Sequence, residues 1–281
     1  MTRRISRRQS IGAAIAGLGT PGLASAAPPE PISLALLHLA PRAGDLAGNR
    51  QAIERGVRRA AEAGAGLVVT PELAVSGYGF RDRIGTDWIV REQAGLQAWA
   101  ADLARATSTV LVLGAPEAAA DGRLHNSLLV FGTDGALAGR HRKINVLRLG
   151  AESWSSPGES ATVVELPGLG RLGLLVCADM YSERLVGETA ALEVDLLLSG
   201  AAWAAGEHGP NGEWERASAT TGRPVVVCNR TGVDVLDFTT ARSVAAMDGG
   251  LAFSLASAAP TAILVDWQPA RRRVANWRTA G

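Results

Sequence analysis

Residues 64–73 have the sequence GAGLVVTPEL, which predicts the end of a helix, a buried strand and a carboxylate directly after it. Gly64 is a typical helix stop, and residues 67–69 form the short apolar run of a buried strand. Glu72 follows Pro71 and precedes the apolar residues 73–75, so it is poorly placed for bulk solvent. Partial burial would raise its pKa and suit it to proton transfer; the alternative is an ordinary surface carboxylate.

The segments around this stretch alternate between strand and helix patterns. Residues 32–39 form an apolar run, and residues 46–63 have helical apolar spacing behind Asp45, a suitable N-cap. The same patterns predict helices at 91–106, 182–192 and 213–220, and strands at 110–113, 126–131, 136–137, 162–166, 172–176, 196–198, 225–228, 242–246 and 262–265. Hairpin turns interrupt the alternation, so we expect one α/β domain with mixed sheets covered by helices.

Composition narrows the class of protein. The chain has 281 residues, of which 47% are hydrophobic and 20% charged, with a net charge of +1. These values are typical of a soluble globular protein and give no electrostatic reason to expect a nucleic-acid partner. Two cysteines exclude both a disulfide-dense scaffold and a four-cysteine zinc site.

Residues 1–26 have the pattern of a signal peptide. Four arginines, Arg3, Arg4, Arg7 and Arg8, precede a short apolar segment at 11–23. Small residues at 24–26 then form a cleavage site, and the segment around Arg7 and Arg8 resembles a twin-arginine export signal. We therefore expect a mature domain at 27–281 that is exported, to the periplasm or the extracellular space. The alternative is a basic leader on a cytoplasmic protein.

Two single residues are candidates for chemistry. Among 28 lysines and arginines, Lys143 is the single lysine, a compact charge that Arg cannot imitate, although chance would also explain it. Cys177 follows the apolar residues 173–176 at a strand-to-helix turn, where backbone N–H groups would favour the thiolate. The alternative for Cys177 is a buried, inert thiol. Cys228 also ends an apolar strand but leads into a turn, so it serves as a comparison.

Two motifs argue against a cofactor. Residues 168–173 match G-x-G-x-x-G, but they open a strand rather than a helix, so a hairpin turn is the better interpretation. The four histidines are scattered and lack metal-ligand spacing. We expect neither a nucleotide cofactor nor a metal ion.

Three segments together resemble the nitrilase, or carbon–nitrogen hydrolase, superfamily. They are GAGLVVTPEL at 64–73 with Gly77-Tyr78, RHRKI at 140–144 leading to Glu152, and GLLVCAD at 173–179. A weaker match follows at 216–217 and 229–232, so the resemblance spans most of residues 32–266. It implies a four-layer α-β-β-α sandwich with mixed sheets, usually a homodimer or higher homo-oligomer.

The resemblance also implies roles for particular residues. Cys177 would be the nucleophile, Glu72 the general base, and Lys143 the oxyanion stabiliser together with the backbone N–H of Ala178. Glu152 would position substrate or water. Trp203 matches a pocket position, and Ala178 stands where the family often has a bulky side chain. The alanines around Trp203, at 201, 202, 204 and 205, suggest a roomy apolar acyl pocket.

The resemblance implies hydrolysis of a non-peptide C–N bond through a cysteine thioester, with a small-molecule amide-type substrate and no cofactor. Amides, nitriles and N-carbamoyl compounds all stay open as substrates. The alternatives are a soluble acyltransferase of the same superfamily and a non-catalytic exported binding protein. Export would also expose Cys177 to an oxidising compartment, where a disulfide with Cys228 would abolish activity.

Overall fold

Two mixed β-sheets form the centre of the computed structural model, which describes residues 30–148, 150–206 and 208–280. The first sheet contains β1 (Ile32–His38), β2 (Ala65–Val69), β3 (Val110–Ala118), β4 (Leu124–Phe131), β5 (Leu137–Arg142), β12 (Thr261–Gln268) and β13 (Arg273–Thr279). Its order is β13-β12-β1-β2-β3-β4-β5, with β1, β2 and β3 parallel and the other pairs antiparallel. The export signal expected at 1–26 lies outside the described residues.

The second sheet packs face to face on the first. It contains β6 (Thr162–Leu166), β7 (Gly170–Val176), β8 (Leu196–Ala201), β9 (Val225–Asn229), β10 (Arg242–Met247) and β11 (Gly250–Ala256). Its order is β11-β10-β9-β8-β7-β6, and β7, β8 and β9 are parallel. The carboxyl ends of these three strands therefore lie along one edge of the sheet.

Helices cover the outer face of each sheet. The helices in the described parts of the chain are α1 (Leu46–Glu62), α2 (Arg81–Ile84), α3 (Asp87–Thr107), α4 (Glu183–Ala190) and α5 (Glu213–Thr221). The helices α1 and α3 pack on the first sheet, whereas α4 and α5 pack on the second. The four-layer α-β-β-α sandwich expected from the resemblance is thus confirmed. In the described parts of the chain, no helix combines the length and the apolar character needed to cross a membrane.

Coverage on both faces explains why the strands are continuously apolar. Along β1, Leu34 and Leu36 belong to the core between the sheets, whereas Ala35 and Leu37 belong to the core under α1 and α3. A strand buried on both faces needs apolar residues at every position rather than at alternate ones. The same rule makes residues 67–69 and 173–176 uniformly apolar.

Most predicted elements are present, although the ends of several helices and strands differ, and the short helix α2 and two strands were not predicted. α3 begins at Asp87 rather than at residue 91, and α4 ends at Ala190 rather than at 192. The strands β11 and β13 were not predicted, because both are largely exposed at the edges of their sheets, where Phe253 and Val274 are their single buried residues. The glycine motif at 168–173 forms the turn between β6 and β7, which confirms the hairpin interpretation.

Candidate active site

The three residues implied to be catalytic come from the ends of strands in both sheets. Glu72 lies in the turn after β2, Lys143 directly follows β5, and Cys177 directly follows β7. Two glycines allow the Glu72 segment to pack closely against β3 and β8: a Cβ on Gly114 would lie 2.0 Å from the carbonyl oxygen of Pro71, and one on Gly200 would lie 3.3 Å from the backbone nitrogen of Glu72. The first sheet's carboxylate therefore meets the second sheet's thiol at the interface between the sheets.

Lys143 lies at the centre of a fully buried ionic cluster. Its Nζ donates to Glu72 Oε1 at 2.8 Å, and to Glu152 Oε1 and Oε2 at 2.6 and 2.8 Å. All three side chains are 0% exposed. Burial by itself would lower the pKa of Lys143, but the negative charges of Glu72 and Glu152, with their hydrogen bonds, hold that pKa above its usual value. The ammonium therefore stays charged at working pH.

The Glu72 carboxylate is held on both oxygens. Oε1 accepts from Asn126 Nδ2 at 2.7 Å as well as from Lys143, and Oε2 accepts from the backbone N–H of Ala202 at 2.9 Å. Burial raises the pKa of Glu72 to about 7, against the opposing effect of Lys143. A carboxyl group with a pKa near neutrality can both accept and return a proton, as a general base that later acts as an acid must.

Glu152 ends a short 3-10 turn, Gly150–Glu152, and its carboxylate faces Lys143 and Tyr78. The Tyr78 hydroxyl donates to Glu152 Oε1 at 2.7 Å. Burial, together with the neighbouring carboxylates, raises the pKa of Tyr78 and keeps its hydroxyl a donor. The cavity beside Cys177 is lined by Tyr78 but not by Glu152. Glu152 therefore acts on the cavity indirectly, through its hydrogen bond with Tyr78.

Cys177 occupies a sharp turn rather than continuing its strand. Its φ is +45°, a left-handed conformation that is unusual for a residue with a side chain, and its N–H donates to Ser199 Oγ at 3.3 Å. Burial raises the pKa of the thiol well above its usual value, and the negative charge of Glu72 adds to this effect. The resting thiol is thus protonated, and its attack on a substrate needs a base.

A buried Asp179–His141 pair, which sequence analysis did not assign, connects the Lys143 segment to the Cys177 turn. Asp179 Oδ1 accepts from the backbone N–H groups of Ile144 and Asn145 at 3.0 and 2.7 Å. Its Oδ2 accepts from Val176 N and pairs with His141 Nε2, both at 2.9 Å. These hydrogen bonds to the carboxylate hold the pKa of Asp179 below its usual value despite burial. The sequence feature that could have indicated this pair is the aspartate two residues after Cys177.

A cavity of about 720 Å³ opens beside Cys177. Ala178 and Trp203, both expected near the substrate, line it. The other lining residues are Tyr78, Asn145, Leu147, Tyr181, Ala202, Ala204, Ala205, His208, Gly209 and Leu236. In the described parts of the chain, no group of three or more His, Cys, Asp or Glu side chains is arranged to hold a metal ion. The arrangement is thus a thiol, a base and a fixed positive charge beside an apolar cavity.

Comparison with known proteins identifies the family. Residues 33–271 match the family model described as Carbon-nitrogen hydrolase. Because this match covers most of the chain, the protein belongs to the carbon–nitrogen hydrolase family. The resemblance to the nitrilase superfamily is thereby confirmed.

Individual relatives are more distant. A hydrolase in the pqqF 5' region of Pseudomonas protegens is 29% identical over 196 residues, which are 69% of this chain and 65% of that protein. Omega-amidase NIT2 of Mus musculus is 32% identical over 150 residues, 50% of this chain and 53% of that protein. The chain thus spans less than two thirds of the length of these curated relatives.

Solved structures agree on the fold. A mutant of the amidase from Nesterenkonia sp. AN1, with acrylamide added to its active-site cysteine, has a TM-score of 0.76 and 24% identity. The match covers 86% of this chain and 96% of that one. At this level of identity the likeness establishes the shared fold.

Proposed function

We propose that the protein is an amidase that hydrolyses a C–N bond through a thioester on Cys177. The observation that carries the proposal is the buried Glu72–Lys143 pair at 2.8 Å, next to a thiol that lines a cavity. A thiol is both a good nucleophile and a good leaving group, so it can divide acyl transfer into two easier steps. Nitriles and N-carbamoyl compounds stay as further candidate substrates.

In the first step the Cys177 sulfur attacks the carbonyl carbon of the amide while its proton moves to the Glu72 carboxylate. The negative charge that develops on the carbonyl oxygen is stabilised by Lys143 and the backbone N–H of Ala178. One N–H of Lys143 turns from its bidentate contact with Glu152 to reach that oxygen. When the C–N bond breaks, Glu72 returns the proton to the departing nitrogen, and a thioester and ammonia or an amine result.

In the second step Glu72, again a carboxylate, takes a proton from water as the water oxygen attacks the thioester. The C–S bond then breaks, the acid leaves, and the proton on Glu72 returns to the sulfur. Glu152 keeps Lys143 charged and oriented throughout both steps, through the hydrogen bond that remains when the other N–H turns to the oxyanion. The atoms and protons of each step balance without a metal ion or a cofactor.

The test is ammonia release from a panel of amides, nitriles and N-carbamoyl compounds by the wild type, by Cys177→Ala and by Cys228→Ala. We expect release by the wild type and by Cys228→Ala, and a loss of at least about 10⁴-fold in Cys177→Ala. Release by Cys177→Ala at a wild-type rate would overturn the proposal. No release by a folded wild type would favour acyl transfer or binding without catalysis.

We also propose that residues 1–26 direct export, that residues 27–281 fold as one domain, and that this domain forms a homodimer. The support is the arginine-rich pattern of the leader and the resemblance to a superfamily whose members usually dimerise. N-terminal sequencing of the protein recovered outside the cytoplasm should start at Ala27. A protein that stays in the cytoplasm with its leader intact would contradict export, and a monomer in sedimentation would contradict dimerisation.

A further inference from the structure

The cavity beside Cys177 is much larger than a small aliphatic amide requires. Its volume of about 720 Å³ falls within the range of about 300–1,000 Å³ that is typical of sites for drug-sized ligands. One wall is aromatic, because the rings of Tyr181 and Trp203 lie with their centroids 4.5 Å apart. Small residues, Ala202, Ala204 and Gly209 among them, form another wall and leave the space open.

Several polar groups in these walls already have partners within the protein. They are the Tyr78 hydroxyl, which donates to Glu152 at 2.7 Å, the Trp203 indole N–H, which donates to the Tyr181 hydroxyl at 3.0 Å, and the Asn145 amide, which donates to the Ala178 carbonyl at 2.7 Å. A polar group that is already paired offers little to a ligand, so the surface presented to a substrate is mainly apolar. Such a surface favours a ligand that loses no hydrogen bonds on entry.

The cavity also lacks a partner for a negatively charged substrate. Apart from His208, the described lining residues include no basic side chain. Lys143 does not fill this role, because its charge is balanced by Glu72 and Glu152 and the N–H that turns from Glu152 is directed to the carbonyl oxygen in the proposed mechanism. A carboxylate on the acyl group would lose its hydration in the cavity without gaining a cation.

The space around Glu72 determines which part of the substrate fills the cavity. The proposed mechanism brings the departing nitrogen to Glu72, which is fully buried and is not among the residues that line the cavity. Asn126 and the backbone of Ala202 already occupy the surroundings of its carboxylate. A small leaving group such as ammonia fits there, so the bulky part of the substrate is the acyl group.

We propose that the substrates are primary amides whose acyl group is uncharged, apolar and bulky, such as a phenylalkyl or medium-chain alkyl group. This inference rests on the proposed amidase function and specifies its substrate class. Leu147, Tyr181 and Leu236 extend the apolar surface at the cavity, with exposures of 46%, 41% and 51%. They would cover the far end of a long acyl chain.

The test measures kcat/KM of the wild type at about pH 8, above the pKa of about 7 of Glu72, so that its carboxylate form predominates. The panel contains acetamide, hexanamide and phenylbutanamide, with glutaramate as an anionic acyl group and N-benzylacetamide as a bulky leaving group. Each buried methylene should raise kcat/KM about fourfold, so hexanamide should exceed acetamide by about 100-fold or more. Glutaramate and N-benzylacetamide should both be poor substrates.

Each other outcome has a distinct meaning. A preference for acetamide or glutaramate would overturn the inference and leave the amidase function intact. A preference for N-benzylacetamide would place the leaving group in the cavity and overturn it as well. Failure to hydrolyse any amide, by a folded protein, would overturn the proposed function together with the inference.

A pair of variants tests directly whether the cavity lacks a positively charged side chain for an anionic acyl group. Leu147→Arg introduces a positive charge at the cavity, whereas Val90→Arg introduces the same charge on α3, at a residue 64% exposed and outside the cavity lining. We expect Leu147→Arg to raise the kcat/KM of glutaramate relative to hexanamide by about fivefold or more, and Val90→Arg to leave that ratio unchanged. An unchanged ratio in Leu147→Arg, or an equal change in both variants, would overturn the charge argument.

Discussion

Cys177 and Cys228 begin from similar positions and end in different environments. Each comes at the end of a parallel strand of the second sheet, after an apolar run, and each is buried. Burial raises the pKa of both thiols well above the usual value. Burial and strand position alone therefore do not separate a nucleophile from an inert cysteine.

The environments differ in backbone conformation and charge. Cys228 stays within β9, and its one thiol hydrogen is shared between the carbonyl oxygens of Leu37 and Val69, which lie 3.4 and 3.2 Å from the sulfur. Cys177 leaves its strand in a left-handed turn, lines the cavity, and is surrounded by Glu72, Lys143 and Glu152. The comparison shows that the charged partners and the turn, rather than the thiol itself, define the candidate active site.

The sheet order also bears on a disulfide between the two cysteines. β8 lies between β7 and β9, with Gly200 opposite both Val176 and Cys228. Two strand spacings amount to about 9–10 Å, whereas Cα atoms of a disulfide lie within about 7 Å. A bond within one chain would therefore require the backbone to move, and both thiols are free in the structure.

The largest effect that would test this difference between the two cysteines concerns Glu72, the proposed base beside Cys177. Because the pKa of Glu72 is raised to about 7, the carboxylate form, which accepts the thiol proton in the proposed mechanism, predominates only above that pH. We expect kcat/KM to rise with pH up to about 7 and then to level off. Glu72→Gln should lose this rising limb and about 10²–10⁴-fold in rate.

Glu54→Gln is the matched control, since Glu54 is an exposed carboxylate on α1 that pairs with Arg58. It should keep both the rate and the pH profile. A rising limb near pH 7 that persists in Glu72→Gln would show that another group is the base.

The next effect concerns the fixed positive charge. Lys143→Arg keeps the charge, but a planar guanidinium does not fit a fully buried site built around one ammonium. We expect kcat to fall by about 10²-fold or more, as for the loss of an oxyanion donor. Arg140→Lys, the reverse exchange at a half-exposed side chain of β5, should have little effect. A loss below about tenfold in Lys143→Arg would contradict its assigned role.

A smaller effect is expected at Asp179, which we regard as a positioning residue. Asp179→Asn replaces one acceptor oxygen by an NH₂ group that faces donors, so the Lys143 segment and the Cys177 turn should shift. We expect kcat to fall by about 10–100-fold with KM nearly unchanged. Asp102→Asn, on an exposed part of α3, is the control. An equal fall in kcat and rise in KM, or an unaltered kcat, would argue against positioning.

The smallest effect is expected at Cys228. Cys228→Ala removes one weak thiol hydrogen bond, shared between two carbonyl oxygens, and a little core volume, which should lower the free energy of unfolding by about 1 kcal/mol. Activity should stay within about twofold of the wild type. Thiol titration of the native protein should label Cys177 before Cys228; rapid labelling of Cys228 in the folded state would contradict its inert role.

Much of the fold was predictable from local patterns. Apolar runs such as residues 67–69 and 173–176 are buried strands because helices cover both sheets, and Asp45 caps α1 through a hydrogen bond from Gly48. The edge strand β13 was not predictable in this way, because Val274 is its single buried residue. Its backbone pairing with β12, rather than an apolar pattern, holds it in the sheet.

The sequence by itself determined the candidates: a glutamate after one strand, the single lysine after another, and a cysteine after a third. The tertiary structure alone decided that these strand ends meet, since they come from two sheets and are up to about a hundred residues apart. It also decided the contacts of Asn126, Tyr78 and Asp179 with them. Periodicity reports which face of an element is buried. Burial among specific charges, which shifts the pKa of Glu72 and of the Cys177 thiol, exists only once the sheets have packed.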